Sequence, residues 1–418
     1  MMGAPGTSRE PTLIRITSRM SEQQTAPAEI EPADGTTTTR GGLLARGLPR
    51  LRAVGPALAG HLAARVLGIV VLAAMAAVAH VSFTHALAKS DGQWYIGIAQ
   101  RGYAHGVTSR PDGTPVNNNL AFFPAYPLLL RAVAALPGMT PVHAGVAISV
   151  LAAVAAAWAI YRIGELLGGR RIGVLLVLLW STEPAAIVLS MVYTEALFVA
   201  LAAWSLLALL RGRWVLAGAL CAVSGLARST APALALAIGV AAAVAIVRRQ
   251  DGWRPWVGAL LSPLGFVGYL AWVGVRLHRW DGWFWMQKQG WHSYFDGGAS
   301  TARAVRTYLT NDGRIALTAA ALIVVVGVAL AVLMLLERPR LPAPLLIYTL
   351  TLLVLSLGTA NYVNSKARFM VPAFPLLVPV ARALGRLPAR YVAFGLGVLA
   401  LGSAWFGGFL LVVWKQAI

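Results

Sequence analysis

With 418 residues, 58% of them hydrophobic and 12% charged, the chain carries too few charges to cover a soluble protein of that apolar content. It reads as an integral membrane protein, and its 35 basic against 15 acidic residues suit cytoplasmic loops rich in Lys and Arg better than a nucleic-acid surface. The single cysteine, Cys221, excludes an intrachain disulfide.

Residues 1–55 are rich in Thr, Ala, Pro and Gly without apolar periodicity, and are expected to be a disordered cytoplasmic tail ahead of a membrane domain over 56–418. Apolar stretches of span length then follow near 66–86, 142–161, 172–190, 194–211, 214–228, 231–247, 256–275, 315–336, 341–358, a short 370–384, and 391–414. All should be helices, because backbone facing lipid must satisfy its own hydrogen bonds. The expected fold class is therefore an all-α polytopic membrane protein with about ten or eleven transmembrane helices.

Arginines gather before the first span (Arg40, Arg46, Arg50, Arg52) and again at 162–171, 211–213, 248–254, 338–340 and 382–390. Placing these on the cytoplasmic side puts the N-terminus inside and leaves 87–141, 191–193, 229–230, 276–314 and 359–369 outside. The two long outer loops interleave aromatic and polar residues, as in "SDGQWYIGIAQRGY", "NNNLAFFPAYPLLL" and "RWDGWFWMQKQGWHSYFDGG". Such stretches suit helices lying in the headgroup region, and Trp and Tyr anchor there without any ligand. There is no Walker loop, no strand-linked GxGxxG and no His/Cys cluster at zinc spacing.

The unusual polar residues collect on the expected outer face. Asp91 opens the first loop; a carboxylate at an apolar boundary loses hydration and can take a proton from a hydroxyl nucleophile, although Asp also caps helices. Arg228 and Arg368 offer planar forks that match phosphate oxygens, and Lys366 lies beside the second; lipid-headgroup snorkelling is the structural alternative. Glu195 begins a span, where a negative charge suits the helix dipole. Phe122, Phe123 and Tyr126 offer an apolar surface for a lipid tail or, more simply, for a neighbouring helix.

Together, "SDGQWYIGIAQRGY", "NLAFFPAYPLL", "MVYTEALFVALAAWSLLAL" with "GLARSTAPAL", and "ARFMVPAFPLL" resemble the PIG-V-like branch of the GT-C glycosyltransferases, which take a sugar from a polyprenyl-phosphate carrier outside the cytoplasm. The resemblance runs from residue 90 to about 380 and rests on order and spacing, above all Asp91 with Trp94 and Tyr95 followed by Phe122, Phe123 and Pro124. Ser90 stands where many relatives carry an aromatic. The resemblance implies a GT-C-like bundle with interfacial helices in the first outer loop, Asp91 as catalytic base, and Arg228 as a candidate for the donor phosphate, to which Arg368 and Lys366 are added by their own charge. It also implies a substrate and lipid groove built from Trp94, Tyr95, Asn119, Phe122, Phe123, Tyr126, Tyr193, Glu195, Gln287 and Trp291.

The function so implied is inverting transfer of a mannosyl residue from a polyprenyl-phosphate sugar to a hydroxyl of a glycolipid, lipid-linked glycan or protein acceptor at the cell membrane. No cofactor is required, a divalent metal is left open, and no nucleic-acid partner is expected. The rival from another class is a transporter or flippase of a lipid or envelope precursor, which would place charges at the midplane, break its helices and repeat its hydropathy.

Overall fold

The computed structural model describes residues 41–111, 114–311 and 314–416, with side chains from residue 53 onward. Of the expected 1–55 tail, residues 1–40 lie outside the described residues and 41–55 belong to the first helix. In chain order the helices are α1 (Gly41–Val78), α2 (Phe83–Leu87), α3 (Asp91–Arg101), α4 (Ala125–Ala134), α5 (Pro141–Ser181), α6 (Glu195–Leu210), α7 (Trp214–Gly225), α8 (Pro232–Val247) and α9 (Arg254–Leu261). They continue as α10 (Leu264–Arg276), α11 (Gly282–Gln289), α12 (Ala299–Thr310), α13 (Ile315–Leu336), α14 (Ala343–Gly358), α15 (Lys366–Met370), α16 (Val378–Leu384) and α17 (Ala389–Val412). Among the described residues there is no strand, only isolated bridges such as Phe295 with Thr359. The protein is an all-α polytopic membrane protein.

Among the described residues, length and composition single out fewer helices than the expected ten or eleven spans. Five helices among the described residues are long and apolar enough to cross a bilayer: Ala53–Val78, α5, the α9–α10 pair, α13 and α17. A sixth arises if Val363–Met370 and Phe374–Leu384, bent by 76°, count as one. Helices α6, α7, α8 and α14, of 12 to 16 residues, are shorter, about 18–24 Å at 1.5 Å per residue against a ~30 Å hydrocarbon core, yet each joins an arginine-rich connection to one of the loops expected outside. Apolar composition alone cannot reveal where Gly, Pro and turns cut a long run. The first span ends at Val78 rather than 86, and the stretch expected to cross at 172–190 leaves the helix after Ser181 for a buried 3₁₀ turn at Ala186–Ser190.

Local chemistry explains the main breaks. Thr140 starts α5 by accepting a hydrogen bond from the His143 amide on its Oγ1, with Pro141 preset for the first turn. Within α5, Gly169 takes φ +83°, a left-handed conformation open to glycine at little cost, so the chain reverses there. The two arms then touch at Gly164 and Gly173, where a Cβ on Gly164 would lie 2.8 Å from the Gly173 Cα. Small residues also allow α7 to press on α10, since a Cβ on Gly265 would lie 1.8 Å from the Ala222 carbonyl oxygen.

The connections separate into two sets. Val192 N–H donates to the Leu87 carbonyl, Trp291 Nε1 to Asn118 and Ala360 N–H to Tyr294, which knits together the loops expected outside. The arginine-rich connections meet one another instead: Arg382 donates to the Pro339 and Leu167 carbonyls, Arg171 to Leu387, and Trp214 Nε1 to the Asp251 carboxylate. The first set builds the site.

Candidate active site

A cavity of about 220 Å³ draws its walls from all five of those loops or the helix ends beside them. Asp91 and Tyr95 enter from α3, Phe122 and Phe123 from the loop before α4, and Thr194 from the start of α6. Arg228 and Thr230 come from the turn after α7, Gln287 and Trp291 from α11 and its end, and Ser365, Lys366, Arg368 and Phe369 from the α15 region.

Charge organises its floor. Arg368 Nη1 lies 2.6 Å from Asp91 Oδ2 and 3.4 Å from Glu195 Oε1, and Arg228 Nη1 lies 2.6 Å from the same Glu195 oxygen. Glu195 is wholly buried, so these two arginines compensate a carboxylate whose isolation would be costly. The Asp91 side chain keeps 22% of its exposure. Both guanidinium groups also cover the Phe369 ring, Arg368 at 4.9 Å and Arg228 at 5.7 Å, and Arg368 covers Tyr193 at 5.1 Å.

Asp91 does not act as a helix cap. It is the first residue of α3, the cap position belongs to Ser90, and Ser90 makes no side-chain cap bond. Ser90 instead takes φ +57°, an uncommon left-handed conformation for a residue with a Cβ, which turns the chain directly before the acid. The loop is pinned on both sides. Lys89 Nζ donates to the Leu410 carbonyl at 2.9 Å and to those of Leu411 and Trp414 at the end of α17, while Tyr193 OH donates to the Lys89 carbonyl at 3.1 Å.

The other residues singled out in the sequence fall into two groups. Tyr95, Phe122, Phe123, Gln287 and Trp291 line the cavity. Trp94 stacks behind Phe122 at 5.6 Å and meets Trp291 edge-on. Tyr126 is buried and donates to the Gly145 carbonyl; Tyr193 lies beneath Arg368; Asn119 holds its own loop, donating to Gly102 and accepting from the Ala104 amide. These three position the wall and do not line the cavity. Lys366 is a special case: it lines the cavity, but its ammonium donates to the Ser356 and Thr359 carbonyls at the end of α14.

Several further participants carry no role in the expected site. Thr194 Oγ1 accepts from Arg228 at 3.2 Å and lies 3.3 Å from the Tyr95 hydroxyl; burial, and then the Asp91 charge, push the pKa of that phenol up, so it stays neutral. Thr230 Oγ1, Ser365 Oγ and Arg368 Nε, all from lining residues, are buried without a hydrogen-bond partner among the described residues. Hydroxyls in turns carry no sequence signal of their own, whereas Phe369, adjacent to Arg368, could have been found from the helix that carries both. Among the described residues no group of three His, Cys, Asp or Glu could hold a metal ion.

A second hollow, apolar and about 380 Å³, lies on the other side of α15. It is lined by Val326 and Leu330 of α13, by Ala367 and Met370, and by Leu376 and Val380. Helix α15 thus presents Lys366, Arg368 and Phe369 to the polar cavity and Ala367 and Met370 to the apolar one.

No protein-family profile and no curated protein sequence matches this chain. Among solved structures it is similar to ArnT from Cupriavidus metallidurans bound to undecaprenyl phosphate, at 16% identity and a TM-score of 0.47 over 73% of this chain. It is also similar to the Archaeoglobus fulgidus oligosaccharyltransferase in complex with zinc and sulfate, at 14% identity and a TM-score of 0.45 over 77% of this chain. The chain spans 57% and 48% of those two proteins, about half their length.

Proposed function

We propose that the protein is an inverting, GT-C-like glycosyltransferase that moves a mannosyl residue from a polyprenyl-phosphate carrier to a hydroxyl of an envelope glycolipid, lipid-linked glycan or protein. The observation that carries this reading is the convergence, in one cavity, of a part-exposed carboxylate and two arginines with donors to spare. Each arginine uses only Nη1 toward the carboxylates, leaving the rest of its fork for phosphate oxygens. A cavity of about 220 Å³ is small beside the ~300–1,000 Å³ of drug-sized sites, and suits a sugar phosphate rather than a whole lipid. The prenyl chain then belongs in the apolar hollow across α15, with Phe122 and Phe123 walling the sugar.

In this reading Asp91 accepts the proton of the acceptor hydroxyl as its oxygen bonds to the anomeric carbon. The bond from that carbon to the phosphate oxygen breaks in line, which inverts the centre, and the electron pair leaves on polyprenyl phosphate, held by Arg228 and Arg368. Lys366 shapes the turn that carries Arg368. The cavity faces the extracytoplasmic side of the cell membrane, with the N-terminus cytoplasmic, and the arginines supply the countercharge without requiring a metal. Incubating the purified protein with labelled polyprenyl-phosphomannose and a mannoside acceptor tests this; label that stays on the lipid refutes it.

One observation favours the rival: the 76° break between Val363–Met370 and Phe374–Leu384 places charged groups on a broken helix, as transporters do. Protein-dependent movement of the lipid across liposomes, without sugar transfer, would establish that second reading.

A further inference from the structure

Helix α3 has a second working face. Asp91 and Tyr95 turn into the cavity already described, whereas Gln93, Trp94, Gly97 and Arg101 line a separate pocket of about 280 Å³. Trp94 is the partition. Its indole stacks on Phe122, a wall of the first cavity, with the rings 16° from parallel, and the same indole lines the second pocket. Gly97 leaves the floor open: a Cβ there would lie 3.0 Å from Arg101 Nη2, so the guanidinium folds across the bare glycine. Gln93 and Arg101 are exposed and their side chains make no hydrogen bond or ion pair among the described residues, whereas Asn119, at the rim, spends its amide on its own loop.

An indole beside two uncommitted polar side chains matches the two aspects of a sugar ring, an apolar C–H face and an edge of hydroxyls. We propose that this pocket is an acceptor subsite, holding the saccharide unit next to the one whose hydroxyl reacts at Asp91. The inference rests on the glycosyltransferase reading for the identity of the reaction and on the pocket alone for saccharide binding. Asp91 and Trp94 sit one turn apart on α3, about 5–6 Å between Cβ atoms, so in this proposal an acceptor of two or more units passes over the outer edge of Trp94 to reach both sites while a single unit engages only the first. The arrangement makes the enzyme a selector of acceptor length. Gln93 and Arg101 bind the distal hydroxyls, and Trp94 couples occupancy of the pocket to the Phe122 wall.

The test uses the full chain in nanodiscs, with methyl α-mannoside and mannotriose as probes, and the variants Gly97→Leu, which fills the pocket, and Arg101→Gln, which removes its cation. Acceptor KM is measured by sugar transfer, and mannotriose binding is measured separately by tryptophan fluorescence, which needs no turnover. The wild type should prefer mannotriose by about tenfold, ~1.4 kcal/mol, and each variant should cut that preference to about twofold while kcat with the monosaccharide is unchanged. A preference that survives in both variants overturns the subsite, as does displacement of mannotriose by inorganic phosphate at equal concentration, which would mark an anion or lipid-headgroup site. If the wild type transfers no sugar, the enzyme reading falls; mannotriose binding that both variants abolish still upholds the pocket, and absent or unaltered binding sinks it.

Discussion

Arg368 binds Asp91 at 2.6 Å through the same nitrogen that reaches Glu195 at 3.4 Å, so the part-exposed acid and the buried one share a single cation. Arg228 completes the set from the far side of Glu195 at 2.6 Å. The acid proposed to take the proton is therefore oriented by a group proposed to hold the leaving phosphate.

Asp91→Asn should keep the fold, since Arg368 retains Glu195, and should lower sugar transfer by about 10²–10⁴-fold, the usual worth of a positioned general base. Single-turnover rates with labelled donor, alongside a melting curve, check both halves. An unchanged rate removes Asp91 from the chemistry.

Glu195→Gln leaves two arginines without their shared countercharge and should destabilise the protein by about 3–5 kcal/mol. Combining it with Arg228→Gln should restore part of the loss, because the second change deletes a charge the first one stranded. Additive losses in denaturant melts would show that the pair does not couple.

Lys366→Met should lower stability, by freeing the last carbonyls of α14, while donor KM stays within about twofold, because that ammonium is held by the protein's own backbone. A large rise in donor KM with the fold intact would return Lys366 to the phosphate.

Val326→Trp places a large ring in the apolar hollow beside α15. If the prenyl chain lies there, KM for a long-chain donor should rise by about tenfold or more, a loss of roughly 1.4 kcal/mol, while a donor with a short chain reacts as before. Equal effects on both would place the chain elsewhere.

Orientation can be read with thiols. With Cys221→Ser as background, Gln93→Cys should label from outside intact cells and Arg213→Cys only after the membrane is opened. The reverse pattern would put the proposed site on the cytoplasmic face and refute its extracytoplasmic placement.

Composition already disclosed a helical membrane protein, and apolar runs located α6, α8 and α13 to within a residue or two. They placed a break near Gly169, where the chain reverses, but overran the ends of short helices such as α7, whose limits depend on close packing that hydropathy does not register. At the site, Asp91, Arg228 and Arg368 were legible because a charge in an apolar setting needs a reason. Which partner each would take was not. Glu195 suits a helix start equally well alone or paired, and the side chain of Lys366 could have turned toward solvent, ligand or, as it does, the end of its neighbouring helix.

The clasp of Lys89 on the final turn of α17 has a consequence for biogenesis. The loop that carries Asp91 is synthesised early, yet its anchor emerges only after every intervening segment has been inserted. Competence should thus arise late in translation, and a ribosome-stalled chain lacking α17 should hold a loosely organised reaction centre even when all its charged members are present.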